Sequence, residues 1–185
     1  MSSLHYASDR CPLRTPQRSS ARWTIVLNVI ALILDALKEA ADKRVFLAIR
    51  DPSMVLAARL PDLNNVEYWN VSVGGAHGLD IDHQRGRLYA ACDDAALVEV
   101  DIGSGKAINE WPLAGVPDVT FFNPATGLVH VAIGEPGLVQ SIDPRSGSST
   151  QIKTGAGAHT TAFVAPDRLY VFSPSHGGAL ILGNA

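Results

Sequence analysis

The sequence predicts an all-β fold built from repeated four-stranded units, and three observations support this prediction. The tripeptide Gly-Ala-His opens an apolar run at residues 75–77 and again at 157–159. Asp118, in the similar run VPDVTFF, lies midway between His77 and His159 (118 − 77 = 41 and 159 − 118 = 41). The chain also contains 16 glycines and 11 prolines, which suit short strands and turns. A period of about 40 residues with four short strands is typical of a β-propeller blade.

Each repeat contains similar strands in the same order. The apolar run ends at a polar turn, which reads DHQRGR, NPATG or APDR in the three repeats. A β-rich triplet follows the turn, at Leu88–Ala90, Val129–Val131 and Leu169–Val171. A second turn and a third short strand come next. In the first two repeats that strand ends in an Asp and a Gly turn, within VEVDIGSG and VQSIDPRSG. Short strands separated by such turns predict antiparallel hairpins.

The same pattern extends one repeat towards the N-terminus. RVFLAI at 44–49 matches RLYAAC at 87–92, and MVLAARL and VEYWNVSV supply the next two strands. The inner strand of this repeat is expected near residues 34–37, where LDAL is similar to LDID and Asp35 is the counterpart of His77. The helix-favouring LKEAA overlaps the end of this segment.

The sequence predicts three segments. Residues 1–22 are expected to form a disordered N-terminal arm, because Pro12 and Pro16 interrupt any helix there. Residues 23–42 form an apolar or helical segment and a possible start of the first blade. Its run WTIVLNVIALIL is interpreted either as a buried helix or strand or as an export signal. Residues 43–185 form the repeat domain.

The repeats provide between three and four blades, with no outer strand in the last one. Three explanations stay open: a fragment of a longer gene, a half-ring that dimerises, or an arc closed by residues 23–41. An open arc leaves unpaired sheet edges, and we expect them at the strand near Lys43–Ile49 and at the last strand. Such edges favour self-association through strand pairing.

Composition excludes some classes of partner and leaves the compartment undecided. A net charge of −3 and a pI near 6.0 give no general attraction to nucleic acid, and the apolar run is too short to span a membrane. Cys11 and Cys92 lie far apart and form neither a disulfide framework nor a metal motif. Both a cytoplasmic and an exported protein fit these features.

Between residues 43 and 182 the chain resembles the YVTN-type β-propeller repeat family, in which an inner-strand lead P/A-H-G is followed by P-x-x-G-R-L-Y-V-A. The matching residues are Ala76–Leu79, Gly86–Ala91, Asn123–Gly127 and Pro166–Val171. The resemblance implies a ring of about seven blades. It also implies a binding or scaffold role, although distant propeller relatives include metal-dependent lactonases and oxidoreductases. Fold alone does not decide between these functions.

The candidate site consists of residues at equal positions in successive inner strands. His77, Asp118 and His159, together with Asp35, are expected to lie around a central channel as candidate ligand-binding residues. Imidazole nitrogens and carboxylate oxygens suit a divalent metal, so the first three are also candidate metal ligands. The same groups can instead hydrogen-bond the backbone of loops between neighbouring blades.

Two hypotheses for function follow from this site. The first is a non-catalytic binding or scaffold module for a protein or small-molecule partner, in which the His/Asp ring is structural. The alternative is a metal-dependent, lactonase-like hydrolase that uses the channel-facing residues as ligands, with a divalent metal as cofactor. The first is favoured because the alternative needs more carboxylate or amide ligands than the sequence provides.

Overall fold

The computed structural model describes residues 37–39, 43–61, 63–157, 159–164 and 168–183, and these residues form fifteen strands. Strands β1 to β4 are Leu37–Glu39, Arg44–Ile49, Met54–Arg59 and Val66–Asn70. Strands β5 to β8 are Ala76–Asp82, Arg87–Cys92, Ala96–Asp101 and Lys106–Pro112. Strands β9 to β12 are Pro117–Asn123, Leu128–Ile133, Leu138–Ile142 and Ser149–Lys153. Strands β13 to β15 are Thr160–Val164, Arg168–Ser173 and Gly178–Gly183, with a 3₁₀ turn at Pro174–His176.

The strands form four antiparallel sheets in which neighbours in sequence are neighbours in space. The orders are β1-β2-β3-β4, β5-β6-β7-β8, β9-β10-β11-β12 and β13-β14-β15. We call these sheets blades 1 to 4; the first strand of each is its inner strand. The all-β, partial-propeller prediction is therefore confirmed. Among the described residues, no helix has the length and apolar character needed to cross a bilayer.

Blade 1 differs from the sequence-based prediction in one detail. The described part of its inner strand, β1, is Leu37–Glu39, which overlaps the predicted range 34–37 at Leu37 and pairs with β2 through Leu37 opposite Leu47. Strand β2 also pairs with β3, so residues 44–49 lie inside a sheet and the prediction of an open edge there was wrong. Residues 1–36, which include the predicted arm, the apolar run and Asp35, lie outside the described residues.

Apolar side chains on both faces of the central strands hold the blades together. Because successive side chains in a strand point to opposite faces, Leu88 and Ala90 join a core with Phe46 of blade 1. On the other face of β6, Tyr89 joins a core with Phe122 and other residues of blade 3, and their rings stack at a centroid distance of 5.6 Å. The long buried patterns of β6 and β10 follow from this two-sided packing.

The inner strands of blades 2 and 3 approach closely at Gly78. A Cβ atom at this position would lie 2.7 Å from the carbonyl oxygen of Asp118 and 2.6 Å from Thr120 Oγ1. Nearby, the amide of Phe122 donates to the Asp80 carboxylate over 2.7 Å. The glycine thus allows β5 and β9 to lie side by side, which places the starts of the inner strands next to one another.

We expect Gly78→Ala to lower the free energy of unfolding by about 2 kcal/mol, because the added methyl group forces the backbone of β9 away. Urea denaturation monitored by tryptophan fluorescence measures this loss. Gly178→Ala is the matched control, since a Cβ atom there meets nothing within 4 Å. Equal effects of the two substitutions would show that the close approach of the inner strands is not required.

Candidate functional site

The start of each inner strand lies at the same end of its blade as the turn between the second and third strands, because adjacent strands are antiparallel. We call this end of the blades the entry end. Its turns are residues 50–53, 93–95, 134–137 and 174–177. The sequence-predicted site residues His77, Asp118 and His159 lie at the entry end.

The predicted equivalence of the repeated residues is seen in the strand positions. His77 and Asp118 are the second residues of β5 and β9, and His159 directly precedes β13. The amide of Val119 donates to the carbonyl oxygen of His159 over 3.4 Å, which links the inner strands of blades 3 and 4. Asp35 lies outside the described residues.

His77 contacts two charged residues that the sequence analysis did not identify. The Arg50 guanidinium nitrogen Nη2 lies 2.8 Å from His77 Nδ1, and Arg50 Nε lies 3.2 Å from the Asp93 carboxylate. A guanidinium group can only donate hydrogen bonds, so His77 Nδ1 is the acceptor. Asp93 Oδ1 lies 3.7 Å from the same nitrogen. Arg50, His77 and Asp93 therefore form one polar cluster across blades 1 and 2, which we call the entry cluster.

Asp118 and His159 have different surroundings from His77. The Asp118 side chain is half-buried on β9. His159 Nδ1 lies 2.9 Å from Thr160 Oγ1, and its ring meets the edge of Phe172 at a centroid distance of 5.3 Å. The acidic neighbour of His77 is thus Asp93, not Asp118.

The described part of the chain contains no group of three or more His, Cys, Asp or Glu side chains arranged to hold a metal ion. His77, Asp118 and His159 occupy equivalent strand positions without forming such a group. Their role as ligand-binding residues stays a prediction. In this form it means that each residue contacts a ligand by itself at the entry end, and not that the three share one site.

Among the described residues, three serine hydroxyls lie within hydrogen-bonding distance of a histidine ring nitrogen. The exposed one is Ser175, whose Oγ lies 3.3 Å from His176 Nδ1, and the other two are buried. Ser173 Oγ lies 2.9 Å from His176 Nδ1, but Ser173 is fully buried and its hydroxyl donates to the carbonyl oxygen of Thr154. Ser141 Oγ lies 2.8 Å from His130 Nδ1 inside blade 3, where His130 has no exposed surface. A substrate carbonyl cannot reach the buried hydroxyl of Ser173 or Ser141, so neither of these two serines suits nucleophilic catalysis.

The thiol of Cys92 also belongs to the core. It is fully buried at the end of β6. Burial raises the pKa of this thiol to about 12, and the nearby Asp93 carboxylate adds to the shift. Since the thiolate is the reactive form of cysteine, Cys92 acts as a packing residue at neutral pH.

The two residues that contact His77 occupy equivalent positions of the sequence repeat. Arg50 and Asp93 occupy the turns after the second strands of blades 1 and 2, 43 residues apart (93 − 50 = 43). Antiparallel pairing places these turns beside the inner-strand starts. Applying the repeat to the turns as well as to the inner strands would have placed Asp93 beside His77 and Arg50 at the equivalent turn of blade 1. It would not have predicted the contact of Arg50 with His77, which joins two blades.

Searches with family models and against curated proteins found no match for this chain. Among solved structures, U3-55K has a TM-score of 0.71 at 11% identity, over 80% of this chain and 45% of that one. The WD40 repeats of RRP9 have a TM-score of 0.71 at 10% identity, with the same coverage of 80% and 45%. Hydrazine synthase of Kuenenia stuttgartiensis has a TM-score of 0.63 at 14% identity, over 80% of this chain and 48% of that one.

These similarities show the fold, and WD40-type β-propellers are among the structures that share it. The chain spans about half the length of these solved structures. One of them is named as an enzyme, so the shared fold does not by itself determine a function.

Proposed function

We propose that this chain is a non-catalytic interaction module and that the entry end of its blades is the recognition surface. The observation that carries the proposal is the entry cluster, in which Arg50, His77 and Asp93 combine a cation, an imidazole and a carboxylate. All three side chains are partly exposed, with 57% of the Arg50 side chain and about a third of the other two accessible.

The entry cluster has the chemistry of a protein-recognition surface. Arg50 and Asp93 offer hydrogen-bond donors and acceptors of opposite charge, held in place by sheets with fully buried cores. Complementary charges of this kind orient a partner and select against incorrect ones. Asp118 and His159, at the equivalent positions of blades 3 and 4, extend the polar surface. We propose a polar segment of another protein as the ligand.

Two further observations support an interaction role over catalysis. WD40-type propellers share the fold, and propellers of this type commonly present loops at one end to protein partners. The resemblance to the YVTN-type repeat family also implies a binding or scaffold role. The hydroxyls of Ser141 and Ser173 and the thiol of Cys92 are buried, which removes these three groups from consideration as nucleophiles at the surface.

The test compares proteins captured from a cell extract by wild type and by two variants, followed by binding measurements with the purified partner. We expect Arg50→Glu to weaken binding at least about tenfold. The substitution removes an exposed cationic hydrogen-bond donor and places a second negative charge beside the Asp93 carboxylate. Lys106→Glu is the matched control. It also reverses an exposed charge, but Lys106 is the first residue of β8 and lies at the end of blade 2 away from the entry end.

Loss of the same partner by both variants would contradict recognition at the entry end. Hydrolysis of a lactone that requires an added divalent ion, and that disappears in His77→Ala, would establish the hydrolase alternative instead.

A further inference from the structure

Blade 4 exposes one apolar face of its sheet. Its opposite face packs on blade 3, where Leu169 and Val171 join a core with Val139. The exposed face carries Phe172 and Ile181, whose accessible fractions are 43% and 58%. Two large apolar side chains exposed on one sheet face are typical of an interaction surface.

The register shows what normally covers such a face. Tyr170 opposite Ile181 in blade 4 corresponds to Tyr89 opposite Glu99 in blade 2 and to His130 opposite Ser141 in blade 3. Phe172 in turn corresponds to Ala91 and Ala132. The equivalent side chains of blades 2 and 3 are buried by the blade that follows: Tyr89, Ala91, Glu99, His130, Ala132 and Ser141. The exposed face of blade 4 is therefore one that accepts another blade.

Blade 1 carries the complementary face. In blade 2, the residues that pack against the preceding blade include the cross-strand pairs Leu88–Val100 and Ala90–Val98. The corresponding pairs in blade 1 are also apolar: Val45–Ala58, Leu47–Leu56 and Ile49–Met54. These six side chains are half-buried rather than buried. One chain thus contains both surfaces of a blade-to-blade contact.

We propose that a second copy of this chain covers these faces, with blade 4 of each copy packed on blade 1 of the other. A two-fold axis then makes the two contacts identical and leaves neither face open. A second copy supplies both surfaces that the contact needs, because the Phe172 and Ile181 face of blade 4 and the apolar pairs of blade 1 belong to the same chain. This dimer requires no partner at the entry end and is independent of the function proposed above.

Sedimentation equilibrium of the full chain tests the dimer. We expect Phe172→Glu and Ile181→Glu each to raise the dimer dissociation constant at least about tenfold, because large side chains at the centre of an interface carry most of its binding energy. Both residues are exposed in one copy, so neither substitution opens its core. Ile108→Glu on β8 is the control: Ile108 is 44% exposed on an outer strand, and we expect no change in dissociation constant.

Mixing two variants tests the head-to-tail arrangement. Ile181→Glu alters only the blade 4 face and Leu56→Glu only the blade 1 face, so each variant alone loses both contacts of its dimer. A mixed dimer keeps one contact intact, between the unaltered blade 4 and the unaltered blade 1. We expect the mixture to associate more tightly than either variant alone, with circular dichroism confirming that both are folded.

Several outcomes would overturn the proposal. A wild-type chain that stays monomeric at the highest soluble concentration would do so, because its faces would then belong to contacts with other polypeptide segments. Association that Phe172→Glu and Ile181→Glu do not weaken would place the interface elsewhere. A mixture that associates no better than the separate variants would exclude the head-to-tail arrangement.

Discussion

Replacing Glu99 with alanine is expected to lower the free energy of unfolding by about 3 kcal/mol, because it removes the acidic partner of a buried charge network. Glu99 lies on β7 with no exposed surface. Its Oε2 accepts a hydrogen bond of 2.7 Å from Asn109, and its Oε1 lies 3.4 Å from Arg87 Nε and 3.6 Å from Arg85 Nη2. The measurement is urea denaturation at neutral pH.

The size of this loss reflects what the substitution leaves behind. Arg87 Nε is a buried donor without a hydrogen-bond partner even in the wild type, and Glu99 supplies its compensating charge. Arg87 also pairs with Asp101, and its side chain is 26% exposed, so part of the cost is recovered through this pair and through water. We therefore expect an effect near the lower end of those measured for broken buried ion pairs.

Two control variants distinguish the charge network from a general effect of shortening a glutamate. Glu110→Ala removes a glutamate from the exposed strand β8, and we expect a change within about 0.5 kcal/mol. Glu99→Gln keeps the size and an acceptor oxygen but removes the charge, so its loss should be intermediate. If Glu99→Ala and Glu110→Ala had equal effects, the network around Glu99 would contribute nothing to stability.

The repeat in the sequence was sufficient to predict the blades, because each blade is set by local features that recur at one period. Positions such as His77 and Asp118 mark the starts of inner strands, and the turns after β5 and β9 follow at equal distances. The inner strand of blade 1 is described at Leu37–Glu39 and shares Leu37 with the predicted range 34–37. Its sequence favours a helix, and pairing with β2 overrides this preference in the three-residue strand β1.

Predicting the site was harder because side-chain partners depend on contacts between blades. The strand positions of His77, Asp118 and His159 follow from the period, whereas the contacts of His77 with Arg50 and Asp93 depend on how far exposed side chains reach. The exposed face of blade 4 was also missed. A strand sequence shows alternation, but it does not show which of two apolar faces a neighbour covers.

The acid sensitivity of the fold is expected to depend on His130. This histidine lies on β10 with no exposed surface; Nδ1 is hydrogen-bonded to Ser141 Oγ, and Nε2 is buried without a hydrogen-bond partner. Burial lowers the pKa of His130 from 6.5 to about 4. Between these two pH values the unfolded chain binds a proton at this residue and the folded chain does not. The contribution to stability is therefore complete above pH 6.5 and decreases as the pH falls towards 4.

Between pH 7 and pH 4 we expect the free energy of unfolding to fall by about 3 kcal/mol less in His130→Phe than in the wild type. Phenylalanine fills a similar volume and does not bind a proton. Urea denaturation at a series of pH values gives the free energy of unfolding of both proteins. The contributions of the carboxylates that both proteins share cancel in the difference between the two. His83→Ala is the control: it removes a histidine from the exposed turn after β5, and we expect it to retain the pH dependence of the wild type. A wild type and a His130→Phe variant with parallel pH profiles would show that His130 is not the group responsible, and that blade 3 accommodates its protonation without loss of stability.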